Sequence, residues 1–457
     1  MKAFRSIFYG KIGLKLSSFL HIGGEEEKYF SLVTDGAGRF ILPAAGIAGA
    51  VKAYLGSLGM DCSDLFGSGN TEKQRGTESR VYFYDGLCKN AVPERRNGIR
   101  LDPARGTVEK GGLYTWYFIG QGMETELCMQ AFLQTEAQRE EIEKAFACIA
   151  DGIAEKRLVF GAKKSNGAGI FQVIGTGSRI LELTCARDFH AYLQGVSEMF
   201  SSIPMVKYQK GKESLYGQSG KESSVMEFEL TAEIPGGLLV KGNEEKEYLP
   251  ELNGRQVNAV NVRKSVDQIK CCYIPSSTIK GAVRGYAGKV CHCMQIPQEK
   301  FVRLFGGETE KKKYRSHLQV QDVLIPEKES VILDRIKIDR WLGSVIDGAK
   351  MDQEVIYTKK GGTIKICVTT DLNDSRDRNL INALVFLTLR DMGLGLVSVG
   401  SGNSIGLGRL NGLTLRIRNT TLPFKEQGID FQRAGQQGRD MEGLVTEWLR
   451  EVKSYAV

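Results

Sequence analysis

The chain has 457 residues, of which 42% are hydrophobic and 25% are charged. At about 150 residues per domain this length predicts roughly two to four folded units, and the composition excludes general disorder and a fibrous repeat. An excess of 62 Lys and Arg over 54 Asp and Glu gives a net charge of +8, which permits binding to a polyanion without requiring it.

The sequence predicts a cytoplasmic protein that does not associate with a membrane. Residues 1–24 alternate polar and apolar side chains, and Lys11 and Lys15 interrupt the apolar stretch that a signal peptide would need. The longest apolar runs, such as residues 383–387, are far shorter than the roughly 20 residues that span a bilayer. The 10 cysteines are too sparse for a disulfide scaffold and are typical of a reducing compartment.

Short segments recur in the same order in the two halves of the chain. An alternating strand runs into glycine, a strand end meets proline where a helix begins, a Leu-Phe-Gly motif follows, and a glycine-rich loop comes last. The paired segments are residues 9–24 and 226–242, 40–56 and 272–288, 65–67 and 304–306, and 161–169 and 400–408. This ordered repetition indicates an internal duplication.

Each half predicts the order strand, helix, strand, long excursion, strand, helix, glycine-rich loop and strand. That is the order of a ferredoxin-like, RRM-like βαββαβ unit with an insertion, so the predicted fold class is α+β with two tandem units. In the first half, Thr135 is a suitable cap for a helix whose Ile142, Phe146, Ile149 and Ile153 share one face. The predicted domains are a first unit at 1–175, a connector at 176–224, a second unit at 225–420, and a tail at 421–457 that is helical from Asp440 to Lys453.

The two glycine-rich loops suit phosphate binding, because glycine lets backbone N–H groups approach an anion closely. Lys163 and Lys164 add charge beside the first loop, and Ser165 and Ser404 occupy equivalent positions. The alternative is a tight turn between a helix and the last strand. A nicotinamide site is excluded by order, since each loop follows a helix and precedes a strand, the reverse of the dinucleotide fingerprint.

The start of the helix after Pro275 is a second candidate phosphate site. Hydroxyls, free backbone amides and positive charge can converge there on an anion. The residues are Ser276, Ser277, Thr278, Lys280 and Arg284. The alternative is an ordinary serine cap with solvated basic residues. The first half has alanines at this point and Lys52 as its nearest base, so the two copies are not equivalent.

The long excursion of the first half combines basic and aromatic residues, which suits nucleic acid. A solvated surface hairpin is the alternative, because acidic residues dilute the charge, and Trp341 could instead anchor a small core. The predicted RNA contacts here are Arg95, Arg96, Arg100 and Arg105, with Arg340 and Trp341 at the matching place in the second half.

Two further sequence patterns could support a metal site or acid–base catalysis. Cys291, His292 and Cys293 suggest zinc, but alternate residues on a helix point to different sides and no Cys-x-x-Cys pair exists, so no metal site is predicted. His21 follows the first strand and is predicted to contact RNA; acid–base processing of a guide precursor and a structural role are the alternatives.

These segments resemble the RAMP superfamily of CRISPR proteins, and specifically the backbone subunits of type III effectors. The resemblance rests on residues 20–24, 273–284 and 336–343 and on the two glycine-rich loops. It implies that a ferredoxin-like palm holds the guide RNA and that a β-hairpin thumb, here residues 89–133 and 326–370, presses between bases of the guide:target duplex. The implied partners are guide RNA, target RNA and other effector subunits in antiviral defence.

Nucleolytic members of this family carry one aspartate in the loop after the first strand and a second aspartate a few residues later. Asp35 matches the second position in the first copy, while Tyr29 and Asn261 stand where each copy would need the first. The sequence therefore favours a binding scaffold over an enzyme. The alternative is a target-RNA endoribonuclease that uses Glu27 and Asp35 with a divalent metal such as Mg²⁺; no other cofactor is expected.

Overall fold

A computed structural model describes residues 4–23, 32–60, 63–67, 76–101, 108–209, 225–242, 247–248, 256–257, 259–266, 269–309, 312–326, 328–372, 374–419, 427–431 and 442–454. The chain forms two compact units. The first comprises residues 1–96, 116–164 and 168–221, and the second comprises residues 97–115, 165–167 and 222–457.

The first half of the chain contains the elements expected of one βαββαβ unit. They are β1 (Ser6–Leu16), β2 (Ile41–Leu42), α1 (Ala44–Ser57), α2 (Ser63–Phe66), β3 (Val81–Phe83), β4 (Gly86–Leu87), β5 (Pro93–Leu101), β6 (Val108–Ile119), β7 (Glu124–Leu133), α3 (Glu136–Ala154), β8 (Phe171–Glu182), α4 (Ala186–Leu193), α5 (Val196–Ser202) and β9 (Val206–Lys207).

The second half repeats the order with shorter additional strands. Its elements are β10 (Val225–Glu233), β11 (Glu247–Tyr248), β12 (Gln256–Val257), β13 (Arg263–Val266), β14 (Ile269–Ile274), α6 (Ser276–Cys293), α7 (Gln298–Phe305), β15 (Gly307–Glu308), β16 (Lys313–Tyr314), β17 (Leu318–Val320), β18 (Val323–Leu324), β19 (Lys328–Arg335), β20 (Met351–Thr358), β21 (Ile364–Asp371), α8 (Ser375–Gly393), β22 (Asn411–Asn419), β23 (Gln427–Asp430) and α9 (Glu442–Lys453).

Each unit is built on an antiparallel sheet with its first strand in the centre. The strand orders are β3-β7-β1-β8-β9 and β17-β21-β10-β22-β23, and the first four strands of each follow the ferredoxin-like pattern. A bulge interrupts the pairing of β1 with β8 between Gly13 and Leu14, and that of β10 with β22 between Thr231 and Ala232. The predicted α+β fold with two tandem ferredoxin-like units is confirmed.

One face of each sheet packs on the two long helices of its unit. In β10, buried residues alternate with partly exposed ones, and Phe228 and Leu230 face the core. Helix α3 begins as predicted, because Thr135 Oγ1 accepts a hydrogen bond from Gln138 N at 3.3 Å. The side chain of Ile149 is fully buried on its apolar face.

The opposite faces of the two sheets differ. In the first unit, Ile7 and Tyr9 are fully buried against α5, where Phe200 joins the same apolar cluster. In the second unit, the neighbouring strands place Glu227 beside Arg418, which is exposed, so this face is polar. The first sheet is therefore covered on both faces, whereas the second presents charged side chains.

In each half of the chain, a two-stranded hairpin is inserted between the second and third strands of the central sheet. We call β5–β6 the first hairpin and β19–β20 the second hairpin. The predicted thumbs at 89–133 and 326–370 are wrong at their C-terminal ends, because β7 and β21 belong to the central sheets. The segment predicted as a connector contains α4, α5 and β9, and the predicted tail contains β23 and α9; Asp440 lies outside the described residues. Within the described parts of the chain, no helix is long and apolar enough to cross a bilayer.

Candidate nucleic-acid interface

The root of the first hairpin holds three aromatic rings around one guanidinium. Phe19, Trp116 and Phe118 have ring centroids 5.2–5.5 Å apart. The guanidinium carbon of Arg96 lies 4.6 Å from the centroid of Phe19 and 4.8 Å from that of Phe118, and the residue is 5% exposed. Arg96, a predicted RNA contact, is thus stabilised by aromatic faces inside the hairpin root.

Two further predicted RNA contacts join this cluster. Lys163 Nζ lies 4.3 Å from the centroid of the Trp116 ring, and burial together with the charge of Arg96 lowers the Lys163 pKa. His21 Nδ1 lies 2.7 Å from Tyr117 O. Burial lowers the His21 pKa, the Tyr117 carbonyl opposes that shift, and Lys163 adds to it. His21 is therefore neutral near pH 7, and the tautomer that donates from Nδ1 to Tyr117 O satisfies both groups.

The His21 environment predicts a pH dependence of stability. Because the folded-state pKa lies below the ordinary value of about 6.5, the unfolded chain takes up the proton first as the pH falls. The free energy of unfolding should therefore be fully maintained above about pH 6.5 and should decrease as the pH falls from there toward the folded-state pKa. Urea unfolding between pH 5 and 7 measures this, and His21→Asn should remove the contribution. An equal pH dependence in the variant would contradict the assignment.

The two glycine-rich loops make the same backbone contacts. Gly161 and Gly400 have positive φ, and a Cβ at either position would lie 2.6 Å from a carbonyl oxygen that follows the first strand of its unit. Each loop contains a short 3₁₀ turn, at Lys164–Asn166 and Asn403–Ile405, which carries the predicted contacts at 164, 165 and 404. The glycines thus permit close packing of backbone on backbone, as the tight-turn alternative requires.

An aspartate caps the start of the first long helix in both units. Ala44 N donates to Asp85 Oδ1 at 2.6 Å, and Ser276 N donates to Asp322 Oδ1 at 2.8 Å. Asp322 also lies 3.3 Å from Lys264 Nζ. A carboxylate already occupies part of the positive end of each helix dipole, which weakens its attraction for a phosphate.

The other predicted RNA contacts at the start of α6 differ in their exposure to solvent. Ser276 is fully buried, and its Oγ has no hydrogen-bond partner among the described residues. Ser277 is exposed, whereas Thr278 is partly exposed. Burial and the neighbouring Arg284 lower the pKa of Lys280 to about 8. Lys280 therefore loses part of its charge in mildly alkaline solution.

Lys52 and Arg284 hold the Leu-Phe-Gly motifs. Lys52 Nζ donates to Gly67 O at 2.6 Å, and Arg284 Nη1 donates to Phe305 O at 2.8 Å. The guanidinium of Arg284 also lies 5.4 Å from the ring centroid of Phe301. Both residues, predicted as RNA contacts, thus satisfy carbonyl groups at the end of a short helix.

Arg284→Ala should lower the free energy of unfolding of the second unit by about 1–3 kcal/mol, because it leaves carbonyl groups without their charged donor. Lys289→Ala, an exposed change on the same helix, should stay within about 0.5 kcal/mol of the parent protein. Urea unfolding of the three proteins makes the comparison. Equal stability of the parent and Arg284→Ala would show that these hydrogen bonds contribute nothing.

The exposed strand residues of the first hairpin provide accessible positive charge. Arg95 and Arg100 are exposed, and Arg100 Nε lies 3.8 Å from Glu109 Oε2 in an ion pair open to solvent. Arg105 lies outside the described residues. These two arginines can reach a phosphate backbone without unfolding any core.

The tip of the second hairpin is a preformed turn that presents a tryptophan. Asp339 Oδ1 accepts hydrogen bonds from Trp341 N at 2.7 Å and from Leu342 N at 3.1 Å, and these bonds lower the Asp339 pKa. Gly343 supplies the positive φ that closes the turn. Trp341 is 96% exposed, so it is not the core anchor that the sequence left open, and Arg340 is also exposed beside it.

Of the two first-copy candidates for catalysis, Glu27 and Asp35, only Asp35 lies within the described residues. Asp35 Oδ1 accepts from Ala37 N at 3.0 Å and from Arg39 N at 2.8 Å, and Arg39 Nε donates to Oδ2 at 2.8 Å. These bonds lower the Asp35 pKa and make it the closing residue of a turn. Glu27 lies outside the described residues. Because its oxygens are used within the turn, Asp35 does not suit Mg²⁺ as it stands, and no group of three or more potential metal ligands is found where the chain is described.

Asn261 of the second unit is part of a buried network that sequence analysis did not find. Its Oδ1 accepts from Val240 N at 2.8 Å, and its Nδ2 donates to Glu354 O at 2.9 Å. Glu354 is fully buried and pairs with Arg263 at 2.7 Å. Asn261 itself is 2% exposed, so its amide supports the fold at the place where the family resemblance implied a catalytic carboxylate.

Comparison with known proteins identifies the family. The family model described as "RAMPs: RAMP superfamily" matches residues 14–172 and 197–411, most of the chain and both units. The chain belongs to the RAMP superfamily. It is therefore a CRISPR-associated RNA-binding module, and each RAMP match includes one hairpin and one glycine-rich loop. No curated protein matches the chain.

Proposed function

We propose that this RAMP protein is a tandem backbone subunit of a type III CRISPR effector, which holds guide and target RNA for antiviral interference in the cytoplasm beside other effector subunits. The observation that carries the proposal is the duplication itself. The RAMP model matches the chain twice, and each half of the chain has a central sheet and an inserted hairpin, as a subunit that holds two successive stretches of guide would need.

The sheet face opposite the two long helices is a poorer candidate for RNA binding than the hairpins and loops in both units. RRM domains bind RNA by stacking bases on aromatic side chains of that face. In the first unit the face is covered by α5, with Tyr9 fully buried. In the second unit, the described strand positions on this face carry charged and small polar residues, such as Glu227 and Arg418, instead of aromatic rings. We therefore place the RNA along the hairpins and glycine-rich loops.

Guide binding should depend strongly on salt and weakly on sequence, because the proposed contacts read a phosphate backbone. For single-stranded RNA the slope of log affinity against log salt is about −0.7 for each phosphate that a cation neutralises. Arg95→Ala with Arg100→Ala should make this slope shallower, whereas exposed Arg187→Ala on α4 should leave it unchanged. The test is to measure the affinity for several unrelated guides at two salt concentrations. An affinity that does not change with salt, or a large preference for one sequence, would overturn the proposal.

The alternative, a target-cutting endoribonuclease, is tested in the assembled complex with Mg²⁺ and labelled target. We expect no cut from the second unit, since the buried amide of Asn261 cannot replace an anionic metal ligand. Glu27→Ala and Asp35→Ala examine the first unit separately. A cut that disappears with either change would make the first unit a nuclease, and one that survives both would not be assigned to these carboxylates.

A further inference from the structure

A three-residue segment after the first strand connects the hairpin of the first unit to its glycine-rich loop. Leu20 pairs with Ile119 of the hairpin through N···O distances of 2.9 and 2.8 Å. The carbonyls on either side of Leu20 accept hydrogen bonds from the loop amides of Ala162 and Gly169, each at 2.7 Å. Residues 19–21 are thus bonded to the hairpin and to the loop at the same time.

The second unit repeats this arrangement in residues 237–239. Leu238 pairs with Ile356 of the second hairpin at 2.8 and 3.0 Å. The flanking carbonyls accept from Ser401 N and Gly408 N, each at 2.8 Å. Both units thus use the same leucine–isoleucine pair and the same set of backbone hydrogen bonds to join hairpin, segment and loop.

Each loop also inserts one apolar side chain into the root of the hairpin. Ala168 is fully buried in the cluster of Trp116 and Phe118. Leu407, at the equivalent place, is 4% exposed and packs with Val355 of β20 and with Leu239. Packed side chains of this kind have discrete arrangements, so a change of volume at either position must be taken up by the neighbouring strand.

We propose that the glycine-rich loops position the hairpins, with Ala168 and Leu407 as the positioning residues. A hairpin strand cannot rotate on its sheet without breaking its bonds to the 19–21 or 237–239 segment, and that segment cannot shift without losing its loop amides. The loop thereby fixes the direction in which the hairpin projects. The consequence for RNA rests on the proposed function: loss of the loop contact should impair target engagement by the hairpin more than guide binding.

Amide hydrogen exchange of the full chain tests the positioning role without RNA. Leu407→Ala should accelerate exchange in β19 and β20 by about tenfold or more while α8 keeps its protection, because local opening of the hairpin root becomes easier. Ile405→Ala is the matched control, since Ile405 is 50% exposed in the same turn. Unchanged exchange in β19 and β20, or an increase that is uniform across the second unit, would overturn the proposal. Should Leu407→Ala fail to fold, Leu407→Val is subjected to the same criteria.

Binding measurements then connect position to function. Leu407→Ala should weaken target affinity by about tenfold at saturating guide while guide affinity changes by less than about twofold, and Leu407→Met should restore the target affinity because it conserves volume. Equal losses of guide and target affinity, or no rescue by Leu407→Met, would contradict positioning. If the parent chain bound no guide at all, the proposed function would fail, while the exchange comparison would still decide the role of the loop.

Discussion

Arg263→Ala should lower the free energy of unfolding of the second unit by about 3–5 kcal/mol, because it leaves the carboxylate of Glu354 buried without its guanidinium. Arg263 Nη2 lies 2.7 Å from Glu354 Oε1, and the two side chains are 10% and 0% exposed. Ser330 Oγ donates to the same oxygen at 3.0 Å, and Lys328 Nζ lies 4.0 Å from it, too far for the hydrogen bond that Arg263 donates. The change should therefore loosen the strands that meet at the second hairpin root.

The control for this prediction is an ion pair of the same unit that is open to solvent. Lys313 and Glu308 lie 3.4 Å apart with side chains 79% and 66% exposed, so Lys313→Ala should change the free energy of unfolding by no more than about 0.5 kcal/mol. Native-state hydrogen exchange in β10 and α8 over a urea series follows the second unit separately from the first. A loss in Arg263→Ala as small as that in Lys313→Ala would show that Glu354 is not held by this charge.

The two units stabilise the same hairpin root by different chemistry. In the first unit, the guanidinium of Arg96 lies over the aromatic rings of Phe19 and Phe118. In the second unit, Glu354 and Arg263 form a buried ion pair. A buried pair is no more stabilising than a well-packed apolar core, but its directional bonds fix which strands meet. Duplication thus preserved the geometry of the root while its side chains diverged.

The tandem fold could be predicted from the sequence because its signals are local. Alternation in β10 and the 3.6-residue spacing in α3 identify the buried face of each element without any tertiary contact. The hairpin limits could not be predicted as well. Only residues 120–123 separate β6 from β7, and both strands alternate, so the sequence does not show where the hairpin ends and the central sheet continues.

The side-chain roles at the candidate site were less predictable for a physical reason. A basic residue on a helix has the same sequence pattern whether it faces RNA or a carbonyl of its own chain, and Arg284 contacts Phe305 O. Asp322 recurs at an equivalent position to Asp85, but its bond to the start of α6 joins residues 46 positions apart. The exposure of Trp341 was not decided by the sequence either, because Ile338 and Leu342 beside it offered apolar partners for a small core.

Gly408→Ala should lower the free energy of unfolding of the second unit by at least about 3 kcal/mol, which is more than we expect for Gly406→Ala in the same loop. Gly408 has φ +77°, and a Cβ there would lie far inside van der Waals contact of Val399 O. Gly169 of the first unit has φ +75° and stands in the same relation to Phe160 O. Because backbone opposes backbone at both positions, no rotation of a side chain can relieve the overlap.

Gly406→Ala is the matched control, since Gly406 has φ +91° but open space around its Cβ position. It should cost only the left-handed backbone conformation of a non-glycine residue, about 1–2 kcal/mol. Urea-dependent hydrogen exchange in β22 and α8 measures both variants. Equal losses would mean that the loop needs glycine at 408 for its φ alone. A clearly larger loss in Gly408→Ala would mean that the loop must lie against the strand end, the contact through which it reaches the hairpin.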